Sequence, residues 1–286
     1  MPIFSRAEWP LLFYRAVPRM HPFPITEVRI HPLIILALQG VAFWPVWRWY
    51  VERITDGSDE PWGIVALATA IIFLMRQRKP DEVKVLTLGC ASVLVTLYAL
   101  SFPFLPALVR AILAVLTLSC TLSAFYLGRS LHLGILGLLL LSLPLIASLQ
   151  FYLGYPVRFL TAEIAARIIS LTGYAVIAEG TCLRWLGDLI SVDAPCSGIK
   201  MLWTGLYLNF TLACFRGLGS LRTWLTYSLS MFIIFLGNLL RTIVLFYGEA
   251  HIFSFPSWGH QGVGIAAFLV VALAIATIHT KIKEAA

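Results

Sequence analysis

Charged residues are scarce in this sequence. Only 12% of its 286 residues are Asp, Glu, Lys or Arg, whereas 59% are hydrophobic. A soluble globular domain carries about twice that share of charge. The composition therefore argues against a soluble enzyme and against a nucleic-acid-binding domain, although the net charge is +7. In a membrane protein such an excess of basic residues is typical of cytoplasmic loops.

Signatures of several enzyme classes are also missing. The chain has no Gly-rich phosphate loop, no dinucleotide-binding fingerprint and no HExxH motif. Its five cysteines form no CxxC pair, which argues against a zinc or iron–sulfur centre. We therefore expect no cofactor and no metal. The N-terminal arm lacks an apolar core followed by a small-residue cleavage site, so we do not expect a removed signal peptide.

Long apolar runs recur through the rest of the chain. About 18 or more consecutive apolar residues are enough to span the hydrocarbon core of a bilayer. We predict an all-α polytopic membrane protein with about eight transmembrane helices. The predicted spans are 33–50, 62–75, 84–105, 108–127, 131–149, 197–215, 222–247 and 261–280.

Basic residues predict the orientation of these helices. With eight spans, the arginines of the N-terminal arm, RQRKP at 76–80, Arg129 and the C-terminal KIKEAA fall on one side. The opposite side carries the mixed or acidic segments 52–61 and 150–196. Because cytoplasmic loops are enriched in Lys and Arg, we predict that both termini are cytoplasmic.

The longest predicted non-membrane segment, 150–195, then lies outside. VRFLTAEIAARIISLTG has apolar residues at helical spacing and is predicted to lie along the membrane surface. The following YAVIAEGTCLRWLGDLISVDAPC predicts two short strands or a hairpin-like loop around Gly180 and Gly187. The predicted organisation is a cytoplasmic arm at 1–32, five transmembrane helices within 33–149, this insertion at 150–195, and three catalytic helices within 196–286.

Three reactive or charged side chains lie near the external ends of three successive predicted helices. Cys196 begins the sixth, Arg241 is near the end of the seventh, and His260 opens the eighth. Ionisable groups within spans are costly and therefore mark functional sites. Asn238 precedes Arg241 by three residues and shares its helix face. We predict that these side chains form one external site.

A thiol, an imidazole and a guanidinium suit acyl transfer. A helix N-terminus or a nearby cation lowers the pKa of a thiol from about 8.5 and favours the nucleophilic thiolate. Cys196 would attack a carbonyl carbon, and His260 would protonate the leaving amine. Arg241, which stays protonated, would stabilise the oxyanion. Asn238 would orient Arg241 or donate a further hydrogen bond.

Simpler interpretations remain open for each residue. A lone cysteine in a membrane protein usually behaves as a small apolar residue, and an external Cys182–Cys196 disulfide is an alternative. Arg241 could extend to lipid headgroups, and His260 could line the membrane interface. His251 is the alternative base. The alternative functions are an acyltransferase using the same thiol, a transporter, or a structural subunit of an exopolysaccharide secretion system.

The motifs APCSGIK, GNLLRT and GHQGVG on these successive helices resemble those of the exosortase/archaeosortase family. The residues that match are Cys196, Ser197 and Gly198 for its Cys-Ser-Gly motif, Asn238 and Arg241 for its Asn-x-x-Arg motif, and His260, followed by Gly264, for its histidine. The resemblance is clear over residues 150–280.

This resemblance implies a membrane-embedded cysteine protease or transpeptidase. Such an enzyme would cleave the C-terminal sorting tail of exported proteins, typically at a Pro-Glu-Pro motif, through a thioester on Cys196. Water or an amine, for example on an extracellular polysaccharide or lipid acceptor, would resolve the thioester. The resemblance also implies a bacterial or archaeal cytoplasmic membrane, with the active site facing outward. If the motif carries an acid, Arg184 or Arg158 of the insertion could pair with it.

Overall fold

The structure is a computed structural model that describes residues 32–55, 57, 61–77, 85–191, 198–256 and 258–284. The helices in these residues are α1 (Pro32–Ala42), α2 (Trp44–Thr55), α3 (Gly63–Met75), α4 (Val85–Ser101), α5 (Ala107–Leu127), α6 (Leu133–Ser142), α7 (Ile146–Leu171), α8 (Ile199–Phe215), α9 (Ser220–Glu249) and α10 (Gly259–Glu284). The strands are β1 (Ile177–Glu179), β2 (Cys182–Trp185) and β3 (Asp188–Ser191).

By length and composition, three helices of the described residues can cross a membrane: α5, α9 and α10. The number rises to at most five if each of two bent pairs, α1 with α2 and α6 with α7, forms one span. Helix α3 and the segment Leu88–Ser101 of α4 are shorter apolar helices. The protein is thus a helical membrane protein, as predicted, but the predicted count of eight spans is not confirmed.

The fifth predicted span, 131–149, is not one straight helix, because the chain bends between α6 and α7. Leu143 precedes Pro144, and a residue in this position is driven out of the helical region. Leu143 is accordingly extended, with ψ 151°, and α6 ends at Ser142. Helix α7 then leaves at 97° and continues unbroken from Ile146 to Leu171. It therefore crosses position 149/150, where the sequence predicted the insertion to begin.

The strands form an antiparallel sheet in the order β1-β2-β3, one strand more than the predicted pair. Both connections are two-residue turns, since Glu179 pairs with Cys182 and Trp185 pairs with Asp188. Leu186 and Gly187 both have positive φ, of 52° and 94°, as a type I′ hairpin turn requires. This sheet packs on α7 and α9 through an apolar cluster that includes Leu183, which is 1% exposed.

Helices α8, α9 and α10 form the bundle that carries the sequence motifs. Small residues allow the close packing: a Cβ atom on Gly237 of α9 would lie 2.2 Å from Cγ2 of Val271 on α10. Buried polar groups also join the three helices, because Asn209 Oδ1 accepts a hydrogen bond from Ser230 at 3.1 Å and lies 2.8 Å from His279 Nε2. The starts of α8 and α10 meet the end of α9 at one end of this bundle.

Candidate active site

The start of α8 lies directly against α9. Gly198 precedes the helix with φ +76°, a left-handed conformation that favours glycine. A Cβ atom on Gly198 would lie 2.7 Å from Cγ of Asn238, which is only 3% exposed. The glycine of the Cys-Ser-Gly motif therefore touches the asparagine of the Asn-x-x-Arg motif. Cys196 and Ser197 themselves lie outside the described residues.

Arg241 lies against α10, one turn from His260. Its Nε and Cζ atoms are 3.5 and 3.7 Å from the position that a Cβ on Gly264 would occupy. Gly264 and His260 are four residues apart on α10 and therefore share a face of that helix. The half-buried Arg241 side chain of α9 thus lies against α10. The structure brings together Gly198, Asn238, Arg241 and the His260 face.

The depth of Arg241 along α9 is greater than the predicted span suggested. Helix α9 continues eight residues beyond Arg241, to Glu249. At 1.5 Å per residue this extension is about 12 Å long. Arg241 therefore lies roughly two turns inside the end of its helix, while His260 stands at the exposed first turn of α10.

A cavity of about 490 Å³ opens beside these residues, between the sheet, the end of α9 and the start of α10. Ser191 of β3 lies in its wall, and Thr242, next to Arg241, lies there too. The segment that carries Cys196 therefore starts at the cavity wall with Ser191 and ends at the Asn238 contact with Gly198. The residues that line the cavity are Leu183, Asp188, Leu189, Ile190, Ser191, Thr242, Leu245, Phe246, Glu249, His251 and His260.

Both candidate histidines line this cavity. His260 is exposed at the start of α10, and His251 follows α9 with a left-handed φ of 54°. Either imidazole could therefore act as the base. The two histidines differ in where they lie relative to Arg241. His260 is on the helix that contacts Arg241, whereas His251 lies in the connection between α9 and α10.

Two carboxylates and two hydroxyls of the cavity were not identified from the sequence: Asp188, Glu249, Thr242 and Ser191. Glu249 and Thr242 lie on the face of α9 that continues from Asn238, and steps of three or four residues along the helix could have indicated them. The Thr242 hydroxyl donates a 3.0 Å hydrogen bond to the Asn238 carbonyl oxygen. Asp188 reaches the cavity only because β3 pairs with β2, and no local sequence signal indicates that placement.

The basic residues of the insertion lie elsewhere. Arg184 forms an ion pair with Glu179 across β1 and β2. Leu183 lines the cavity, whereas the adjacent Arg184 is not among its lining residues. Arg158 Nε donates a 3.1 Å hydrogen bond to the Gly154 carbonyl oxygen within α7. Cys182, the alternative partner of Cys196, has a free thiol.

In the portion of the chain that the structure describes, no group of three or more His, Cys, Asp or Glu residues is arranged to hold a metal ion. Three functional groups of the candidate site lie at the same end of the bundle. They are the His260 imidazole on α10, and the Asn238 amide and the Arg241 guanidinium on α9.

Comparison with known proteins identifies a family for this chain. The chain matches the family model of the transmembrane exosortase (Exosortase_EpsH) over residues 26–277. No curated protein and no solved structure is significantly similar to it. The match extends well beyond the three motifs and includes the N-terminal helices, where the motifs gave no information. At the level of the family it supports a membrane cysteine peptidase-like enzyme. The chain therefore belongs to the transmembrane exosortase family.

Proposed function

We propose that this protein is a membrane-embedded cysteine protease or transpeptidase that cleaves the C-terminal sorting tail of exported proteins. The observation that supports this proposal best is the pair of contacts, Gly198 with Asn238 and Arg241 with Gly264. These contacts join three motifs that are far apart in sequence. They do so at one end of α8, α9 and α10, beside a cavity of about 490 Å³.

Cys196 is the proposed nucleophile. It stands two residues before Gly198, so the positive end of the α8 dipole is close to it in the chain. A helix N-terminus favours the thiolate form of a cysteine. The thiolate sulfur attacks the carbonyl carbon of the scissile peptide bond, and the carbonyl electron pair moves onto oxygen.

Arg241 and Asn238 are proposed to stabilise that oxyanion. A guanidinium keeps its proton and can donate two hydrogen bonds in fixed directions. When the oxyanion collapses, the carbon–nitrogen bond breaks and His260 gives its proton to the departing amine. The acyl group is then a thioester on Cys196. An amine or water attacks the thioester and loses a proton to His260, and the carbon–sulfur bond then breaks to restore the Cys196 thiolate.

The cavity is the proposed binding site for the residues that flank the scissile bond. Its volume falls within the range of roughly 300–1,000 Å³ that is typical of ligand sites. Apolar side chains such as Leu183, Leu245 and Phe246 contribute much of its wall. If an acidic motif residue binds Arg184, it does so in competition with Glu179.

We further propose that the site faces outward from a bacterial or archaeal cytoplasmic membrane, with both termini in the cytoplasm. The far ends of α3, α5 and α8 support this orientation, since they carry Arg76, Arg129 and Arg216. Basic residues collect on the cytoplasmic side of membrane proteins. The lipid bilayer and an external amine acceptor, on a polysaccharide or a lipid, are the proposed partners besides the tail.

Cleavage of a reporter tests the proposal. An exported protein carrying a C-terminal Pro-Glu-Pro motif, one transmembrane helix and basic residues is co-expressed with the full chain. We expect a shorter reporter with the wild type and none with Cys196→Ser, while Cys182→Ala retains cleavage. Mass spectrometry of intermediates trapped on Cys196 separates the alternatives. Peptide on the sulfur supports the protease, whereas a fatty acyl chain would assign the acyltransferase.

A further inference from the structure

Three arginines surround a second cavity at the opposite end of α8. This helix contains 17 residues and is therefore about 25 Å long, so the second cavity is remote from the candidate active site. Its volume is about 380 Å³. Arg76, Arg129 and Arg216 line it, together with Gln77 and His132.

Four helix ends bring these side chains together. Arg76 is the C-cap of α3 and Arg216 is the C-cap of α8, while Arg129 follows the left-handed Gly128 that ends α5. His132 is the N-cap of α6, where its Nδ1 accepts a 3.3 Å hydrogen bond from the backbone N–H of Ile135. A neutral imidazole that accepts at Nδ1 carries its proton on Nε2. His132 is therefore a hydrogen-bond donor in the cavity wall.

The positive charge of this cavity is not compensated by acidic side chains of the described residues. The ion pairs in that part of the chain are Arg48–Glu52, Arg167–Glu163 and Arg184–Glu179, all of them elsewhere. Arg216 donates a 2.8 Å hydrogen bond from Nη1 to the neutral Thr280 hydroxyl. No Asp or Glu is among the described residues that line the cavity.

Interaction with the helix dipoles does not account for all three arginines. The C-terminus of a helix carries roughly half a negative charge, and its N-terminus roughly half a positive charge. Three C-termini and the α6 N-terminus therefore contribute about one negative charge in total. Three guanidinium groups exceed this by about two positive charges. An anion would neutralise the remainder.

We propose that this cavity binds a phosphate group. Guanidinium groups bind phosphate through paired hydrogen bonds, and Gln77 and His132 can supply further N–H donors. The phosphate could belong to the headgroup of an anionic phospholipid or to a soluble ion. Phe73, Leu127 and Phe215 also line the cavity, and Phe215 is 46% exposed. This apolar border favours a lipid, as in other basic pockets between membrane helices.

Lipid titration of the delipidated full-length protein, followed by native mass spectrometry, tests the proposal. The probes are phosphatidylglycerol, phosphatidylcholine and inorganic phosphate, each used separately. We expect saturable binding of one phosphatidylglycerol molecule, with much weaker binding of phosphatidylcholine. If inorganic phosphate occupies the same site and displaces the lipid, the soluble ion is an alternative source of the same group.

Arg129→Gln and Arg216→Gln are the test variants. Arg129 is exposed and its side chain forms no hydrogen bond to another described residue, so Arg129→Gln should fold. Loss of one charge-assisted contact should weaken phosphate or lipid binding about tenfold. The matched control is Arg222→Gln, which removes an exposed arginine from the first turn of α9, outside the cavity.

Equal binding by Arg129→Gln, Arg216→Gln and Arg222→Gln would overturn the proposal, because the attraction would then be a general effect of net charge. Thermal unfolding of each variant without lipid identifies any that fail to fold. If Arg216→Gln is one of them, Arg129→Gln alone decides. The proposal does not depend on the catalytic function, since neither variant changes a residue of the candidate active site.

Discussion

Gly198 and Asn238 are in contact across α8 and α9, with 2.7 Å between the position of a Cβ on Gly198 and Cγ of Asn238. The contact fixes where the Cys196 segment enters α8. Arg241 lies three residues further along the same face of α9, towards the end of that helix. Two properties of one glycine are therefore required, its positive φ and its lack of a side chain.

Gly198→Ala should destabilise the protein and abolish cleavage. The left-handed φ of +76° costs a non-glycine residue about 1 kcal/mol, and displacement of the buried Asn238 adds a similar amount or more. Gly173→Ala is the matched control, because Gly173 has φ +96° but nothing within 4 Å of its Cβ position. Thermal unfolding and reporter cleavage are measured for both. Equal losses in the two variants would show that the Asn238 contact contributes nothing.

The guanidinium of Arg241 should respond to side-chain size at Gly264. Gly264→Ala adds a Cβ at ordinary contact distance, 3.5 Å from Nε, and should retain cleavage. A leucine at position 264 cannot fit without moving the guanidinium. Cleavage should therefore fall in Gly264→Leu, as it should in Arg241→Lys. Loss of one oxyanion donor typically lowers kcat by about 100-fold to 1,000-fold. Full activity in Arg241→Lys would indicate that only a point charge is needed there.

Substitution of the two cavity histidines should separate their roles. Removal of a general acid–base group lowers kcat by about 100-fold to 10,000-fold. We expect that loss for His260→Ala, since α10 holds His260 one turn from the Arg241 contact. His251→Ala should lower kcat by less than about tenfold, because it removes only part of the cavity wall. The reverse order of the two effects would assign His251 as the base.

Alkylation of a variant that retains only Cys196 should report an activated external thiol. The other four cysteines, 90, 120, 182 and 214, are replaced by alanine. A membrane-impermeant reagent should label Cys196 in intact cells, with an apparent pKa below the usual value of about 8.5. A variant that retains only Cys182, on the sheet beside the cavity, is the control for access from the same side. Labelling of Cys196 only after permeabilisation would reverse the proposed topology.

Local sequence rules indicate which candidate residues lie on one helix face, but they do not indicate the residues of the cavity wall. Asn238 and Arg241 share a face because they are three residues apart, and alternation of the helices placed His260 at the same end. Asp188 reaches the cavity because β3 pairs with β2. The sequence of one strand alone does not specify this pairing. The arginines of the second cavity likewise meet only because α3, α5 and α8 end together.

The predicted count of eight spans is not confirmed, and two of the predicted spans contain a break that apolar composition does not reveal. The segments 33–50 and 131–149 read as continuous apolar runs, but each is interrupted in the structure. Helices α1 and α2 meet at 65° around Phe43, just before Pro45, and α6 ends before Pro144. Proline removes a backbone donor and restricts the preceding residue, so a helix of adequate length becomes two short ones.

The length of α9 sets a distance that the proposed substrate tail would have to match. Trp224, which is 56% exposed, and Arg222 suit the interface near the start of this helix. From Trp224 to Glu249 the helix rises about 37 Å, whereas the hydrocarbon core is about 30 Å thick. The upper part of the cavity then stands up to about 7 Å above the hydrocarbon boundary, which an extended chain covers in about two residues. In a proposed tail whose membrane helix starts within a few residues of the scissile bond, that bond would reach the Cys196 segment. In a tail with a longer connection, the extra residues would have to form a loop outside the cavity.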